Sequence, residues 1–293
     1  MVFNRPESTE LVFATIKKAR PTQLFFIADG PRPDRIGEAE QCDLVKSILE
    51  GVDWPCDVQK NYSEVNMGCK RRISSGLDWV FDKVEEAIIL EDDCLPDESF
   101  FPFCEELLNR FRRDERVGHI SGVNFQFGSR RSDESYYFSR YPHVWGWATW
   151  RRAWQNYDVE IRDWPLVKAE GKLGDIFGDK RLARRWERIF DDMYEGIIDT
   201  WDYQWVFSNM VNSRLSITPH YNLVSNIGFG DQATHTHTKD CTAEVPVLRM
   251  KFPLHHPPII IRDSISDLHS EMLNRKSFFE KIIHSIKKRL FWQ

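Results

Sequence analysis

No apolar run in the 293-residue sequence approaches the roughly 20 residues that a helix needs to cross a bilayer, so no membrane span is expected. The N-terminus lacks the basic, apolar and small-residue regions of a signal peptide, which sets the expectation of a cytoplasmic protein. Cysteine is sparse. The six residues Cys42, Cys56, Cys69, Cys94, Cys104 and Cys241 form no CxxC pair and no zinc-ligand spacing, which argues against a secreted disulfide framework and fits reduced thiols. Positive charge is not in excess either: 40 Lys and Arg against 45 Asp and Glu leave a formal charge of -5. Without a basic field to neutralise phosphates, nucleic acid is not an expected partner.

What is present is an ordinary globular composition, 41% hydrophobic and 29% charged, in a chain long enough to bury one large α/β core. The 13% aromatic content, with eleven Trp, is high. Such rings make stacking platforms for sugars or bases, and they also fill cores.

The first half alternates short apolar runs with helical patterns, the signature of βαβ units and a mostly parallel central sheet flanked by helices. Strands are expected at residues 2–3, 24–28, 57–62, 87–90 and 117–121. Helices are expected at 7–18, after Asp34 as N-cap, and at 70–84. The first strand reads as clipped, because Met1 stands only three residues before Asn4-Arg5-Pro6 and a central strand normally needs four or five; a truncated start is the corresponding expectation. After about Gly122 aromatics and longer helices take over, with helices expected at 179–195 and 201–211 and strands at 145–150 and 215–218. From 239 to 263 the chain carries Pro246, Pro253, Pro257 and Pro258 and reads as an extended wrap. Beyond it, Phe278, Phe279, Ile282, Ile283, Ile286 and Leu290 recur at helical spacing among Lys276, Lys281, Lys287, Lys288 and Arg289. That is a basic amphipathic helix, suited to an anionic membrane surface or to packing on the body or a second subunit.

The segment IILEDDCLPDE at 88–98 is an apolar strand delivering three adjacent acids, followed by Pro96 and a helix start. Acids at the carboxyl end of a strand in an open α/β sheet face the ligand crevice. A hard cation, Mn²⁺ or Mg²⁺, takes carboxylate oxygens and bridges the phosphates of a nucleotide. The alternative is solvated charge favouring the following helix, but three consecutive acids repel one another unless a cation is bound. In NMGCKRRISSGLDW at 66–79, a Gly turn precedes a helix whose first turns carry Lys70, Arg71 and Arg72, tolerable where a diphosphate sits nearby and otherwise a solvated charge run. His235 and His237 in THTHT share one face if that segment is a strand, and can complete a metal shell or lie at the surface.

Taken together these motifs resemble the N-acetylglucosaminyltransferase I family of GT-A glycosyltransferases, as a bacterial member. EDDCLPDESFFPF resembles that family's EDD-x-x-x-x-PDFF block, FNRP at 3–6 its turn after the first strand, and Ala28-Asp29-Gly30 the acid after its second. Gly146-Trp147 and Trp201-Asp202 resemble its GW strand and WDDW motif, and residues 230–235 its Gly-Val-Ser-His loop. The resemblance implies a GT-A fold in which residues 1–122 form the nucleotide-sugar half, 123–238 the acceptor and catalytic half of the same domain, and 239–293 the C-terminal wrap and basic helix. It implies Asp93 as direct metal ligand, with His235 next, and Glu91 and Asp92 on hydroxyls of the donor sugar and ribose. Arg5 and Asp29 would hold the base and Thr234 the donor; from the residues themselves, Arg71 and Arg72 are donor candidates through the diphosphate and the Trp201 ring can stack on a sugar. Asp202 is the expected catalytic base, since an inverting transfer needs one carboxylate to take the acceptor's proton. Its local alternative is an N-cap, with Thr200 or Asp202 starting the helix. The family's second Asp in WDDW is Tyr203 here, and its loop Ser is Thr234.

The expected activity is therefore inverting, Mn²⁺- or Mg²⁺-dependent transfer of a hexose or N-acetylhexosamine from a UDP-sugar to a glycan or lipid-linked glycan. Two rivals remain: a sugar nucleotidyltransferase, although residues 1–30 lack the Gly-rich loop such enzymes use, and a non-catalytic carbohydrate-binding protein.

Overall fold

The computed structural model describes residues 1–228 and 245–272. Helix α1, Pro6–Ala19, starts on a proline whose missing N–H costs nothing in a first turn, and ends at Arg20 in the left-handed conformation (φ 49°). It feeds β1, Gln23–Ala28, which pairs in parallel with β2, Asp57–Tyr62, through α2, Glu38–Leu49. Helix α3, Cys69–Phe81, leads to β3, Glu86–Ile89, whose end carries the acids into β4, Cys94–Pro96. Then follow α4 (Phe100–Phe111), β5 (Val117–Ser121), β6 (Tyr136–Ser139) and β7 (Trp147–Trp150). Next come α5 (Arg151–Trp154), α6 (Trp164–Ala169), α7 (Lys172–Phe177), α8 (Lys180–Tyr194) and α9 (Asp202–Val211). Strands β8, Leu215–Pro219, and β9, Val224–Asn226, come next, and residues 264–272 are helical.

The expectation of a mostly parallel central sheet is corrected. The largest sheet has five strands in the order β3-β7-β5-β8-β6, and only the β5–β8 pairing in it is parallel. Strand β7 inserts between β3 and β5 and runs antiparallel to both, a non-local pairing that hydrophobic periodicity does not register. Strands β1 and β2 form a separate parallel pair, and β4 pairs antiparallel with β9. The expected first strand is reduced to a single parallel bridge, Val2 to Ala28. Helix α2 starts at Gly37 in left-handed conformation rather than at Asp34, because residues 34–37 form a turn after Pro31 and Pro33.

Phe100, Phe103, Leu107 and Phe111 line one face of α4 at helical spacing and pack on the five-stranded sheet with Ile120, Phe138 and Ile217. A second cluster joins Ile73, Leu77 and Phe81 of α3 to Trp147, Trp154, Trp201 and Trp205. Eight of the eleven Trp are buried, so most of the aromatic excess is core. Among them Trp205 fixes α9 to β5: its Nε1 donates to His119 Nδ1 at 3.1 Å, and His119 Nε2 donates to the His143 carbonyl at 2.9 Å. Burial drives the His119 pKa down to about 3, so the ring is neutral and this tautomer satisfies both partners. The bond holds the start of α9, and with it Asp202, at a fixed place relative to the sheet.

Candidate active site

The acids occupy the turn between β3 and β4, closed by a Cys94 N–H bond to the Glu91 carbonyl at 3.1 Å. Arg5, just ahead of α1, reaches back into that turn. Its Nη1 lies 2.8 Å from Asp93 Oδ2 and 3.3 Å from Asp92 Oδ1, while the Phe3 N–H donates to Asp92 Oδ2 at 3.0 Å. Burial works against the Arg5 charge, but Asp92 and Asp93 outweigh it and hold its pKa above the ordinary value.

Among the described residues Arg5 and the Met1 amine oppose the acids without offsetting them. Burial, then Asp93 and Asp92, push Glu91 up to about 8, and Asp202 adds to the effect. Burial and Asp93 likewise raise Asp92 to about 6, against the opposing pull of Arg5 and the Phe3 N–H. The Asp202 contribution is informative, because it brings the start of α9 into the electrostatic neighbourhood of the acid turn. Cys69, first residue of α3, lies in the same field: its thiol is pushed up by burial and then by Glu91, Asp202, Asp199 and Asp93. Asp199, exposed, was not singled out from sequence; its place in Asp-Thr-Trp-Asp, three residues before Asp202, was the available signal.

Asp202 is half-buried at the first turn of α9, where its Oδ1 accepts from the Tyr203 N–H at 2.9 Å and from Thr200 Oγ1. Oδ2 has no hydrogen-bond partner among the described residues. Trp201 beside it is a core ring, 3% exposed and stacked on Trp147 at 5.7 Å and 23°, which leaves little face for a sugar.

Asp29 is buried at the end of β1 and accepts from the N–H groups of Gly30 (2.9 Å), Met67 (2.9 Å) and Gly68 (3.1 Å), tying the β1 end to the loop that opens α3. Gly30 is required there, since a Cβ would lie 2.6 Å from the Val65 carbonyl carbon. Arg72 is buried, its Nε donating to the Ala28 carbonyl at 3.0 Å and its Nη2 to Asn61 Oδ1 at 2.9 Å, so its guanidinium ties together the ends of β1 and β2. Arg71 is exposed on α3 and makes no side-chain bond among the described residues. Thr234, His235 and His237 lie outside the described residues, as does the basic amphipathic segment around 276–290. The chain reaches the acids just before that gap: the Ile227 N–H donates to the Asp93 carbonyl at 2.8 Å, and a Cβ on Gly228 would lie 2.3 Å from Asp93 Oδ2.

Among the described residues no group of three His, Cys, Asp or Glu is disposed around a common metal position. Two carboxylates do converge on one positive group, Arg5 Nη1. That donor set suits Mg²⁺ or Mn²⁺, which take one or two protein carboxylates and complete their octahedra with phosphate oxygens and water. No helix among the described residues is long and apolar enough to cross a membrane. No protein-family model matches the chain, and no curated protein matches it.

Proposed function

We propose that this chain is an inverting, metal-dependent glycosyltransferase of the GT-A type, which moves a hexose or N-acetylhexosamine from a UDP-sugar to a glycan or lipid-linked glycan. The observation that carries the reading is the excess of carboxylate at the end of β3: Glu91, Asp92 and Asp93 share one turn, burial and the neighbouring acids raise Glu91 and Asp92 in pKa, and Asp202 lies in the same field. Acids that destabilise one another in a cleft are candidates for cation binding. UDP as the nucleotide follows from the sequence resemblance.

In this reading Asp93 and Asp92 hold a divalent cation, which when bound supplies Lewis-acid stabilisation of the leaving diphosphate. Arg5, already paired to both aspartates, adds a second positive charge beside the phosphates. Glu91, with a raised pKa, donates or accepts toward a donor hydroxyl according to its protonation. The Asp202 Oδ1 atom is held by Tyr203 and Thr200, leaving Oδ2 to accept the proton of the acceptor hydroxyl. The acceptor oxygen bonds to the anomeric carbon as the carbon–oxygen bond to the diphosphate breaks on the opposite face, which inverts the centre.

The test is UDP release from a panel of UDP-sugars, with and without Mn²⁺. Metal-dependent release with at least one sugar is expected; no release and no donor binding with any of them defeats the reading. The Arg5 bridge favours a second reading, a carbohydrate-binding protein in which arginine alone neutralises the aspartates. Metal-independent donor binding with Asp202→Asn silent would select it.

A further inference from the structure

The helical stretch 264–272 is built inside out. Successive residues turn about 100° around a helix, so Ser266, Asp267, Ser270 and Glu271 fall on one side and Ile265, Leu268 and Met272 on the other. A surface helix ordinarily buries its apolar side. Here the polar side is the buried one: its four residues are at most 6% exposed, whereas the three apolar residues are 46% to 57% exposed. The buried side is bonded along its length. Gln126 Nε2 donates to the Ser266 carbonyl at 3.0 Å and to Ser270 Oγ at 2.9 Å, Ser139 Oγ donates to Asp267, and Trp186 Nε1 and Arg185 hold Glu271. Turning the helix over would bury the apolar side chains but strand those partners and expose none of the cost to water, so the polar bonds fix which side faces out.

The neighbouring chain extends the same kind of surface and borders it with positive charge. Ile259 and Ile261, in the segment leading into the stretch, are exposed, while Ile260 between them packs on the core. Helix α8, tied to the stretch by Arg185 and Trp186, carries Arg181, Arg184, Arg185 and Arg188 at i, i+3, i+4 and i+7. Of these, Arg181, Arg184 and Arg188 are exposed and form no ion pair among the described residues. Beyond Met272 the sequence holds six Lys and Arg against one Glu, in a chain whose formal charge is -5, so positive charge is gathered on this side of an acidic molecule. Apolar side chains bordered by unpaired arginines match the boundary of an anionic bilayer, acyl chains below and phosphates above. A second copy docking through the same patch would set these arginines against their own equivalents, a like-charge contact.

We propose that Ile265, Leu268 and Met272, with Ile259 and Ile261, form a docking surface for an anionic lipid bilayer. The apolar side chains enter the boundary between headgroups and acyl chains, and Arg181, Arg184 and Arg188 pair with lipid phosphates. The helix lies in the plane of the interface, its polar side held by protein where an isolated interfacial helix would face water. This inference is independent of the glycosyltransferase reading, since it rests on side-chain exposure and charge and is read by lipid binding.

The experiment is co-sedimentation of the 293-residue chain with vesicles of phosphatidylcholine alone and of phosphatidylcholine mixed with phosphatidylglycerol. Binding to the mixed vesicles that weakens as salt is raised is expected, with little binding to phosphatidylcholine alone. The triple variant Ile265→Gln, Leu268→Gln, Met272→Gln keeps good helix formers and removes only exposed apolar groups, so its melting temperature should stay within about 3 °C of the parent. Its partitioning onto mixed vesicles should fall by about tenfold or more. A second variant, Arg181→Gln, Arg184→Gln, Arg188→Gln, leaves the stripe intact and should lose about tenfold on mixed vesicles. Equal binding by the parent and both variants would assign any lipid affinity to the residues beyond Met272 and overturn the proposal. No binding to mixed vesicles overturns it too, as does a dimer in light scattering that the first variant dissociates while vesicle binding is unchanged.

Discussion

Two clusters of acids among the described residues are arranged in opposite ways. Asp267 and Glu271, in the helical stretch 264–272, are matched by partners: Asp267 accepts from Ser139 Oγ at 2.6 Å and pairs with Arg262 Nε at 3.2 Å. Glu271 accepts from Trp186 Nε1 at 2.9 Å and pairs with Arg185. Those bonds carry the stretch onto β6 and α8, and the acids serve as anchors. The acid turn after β3 has three carboxylates, with Asp202 in their field and Arg5 bonded to two of them. Burial alone therefore does not mark a functional acid; burial with charge left over does.

That contrast can be broken or sharpened by substitution. Asp202→Asn should lower kcat for sugar transfer by about 10²- to 10⁴-fold without shifting the melting temperature, and steady-state kinetics beside a thermal scan would check it. A variant that destabilises the fold and spares transfer would make Asp202 an N-terminal helix residue only. Glu271→Ala should do the reverse, costing about 2 kcal/mol by stranding Arg185 and the Trp186 N–H. Denaturant titration measures the loss, and donor binding should be unchanged.

The third effect is smaller and depends on pH. Burial raises Asp267 from 3.8 to about 7, so the folded state holds its proton where the unfolded state does not. Its contribution to stability is therefore greatest below pH 4 and is lost as pH rises toward 7. Glu91 has the same sign over a window from 4.5 to about 8. Asp267→Asn should flatten the first window and leave the second. Mn²⁺ should oppose only the second, stabilising by about 2.7 kcal/mol at a hundredfold excess over its Kd. Thermal scans at pH 5, 6, 7 and 8 separate the two.

The sequence was most informative where local pattern determines structure. Apolar runs marked β1, β3 and β5 to within a residue or two, and Asp179 caps α8 through the Arg181 and Leu182 N–H groups where that helix was expected. It was least informative where pairing is long-range. Strands β4 and β9 have three residues each, and β4 ends on a proline; neither has a period to read, and they exist because they pair with each other across the chain. At the site, the acid turn was legible as charge at a strand end, but the closure of Arg5 onto Asp92 and Asp93 spans nearly ninety residues and no spacing encodes it. Arg71 and Arg72 looked alike in sequence. One is exposed and the other is buried across β1 and β2, because helical geometry turns neighbours to different faces.

The most direct measurement is calorimetric titration of UDP into the protein with and without Mn²⁺, repeated on Asp93→Ala. Binding that requires the metal, and that Asp93→Ala abolishes while the melting temperature holds, is the predicted result. UDP binding of equal strength without Mn²⁺, or unchanged in Asp93→Ala, would contradict a cation held by the acid turn.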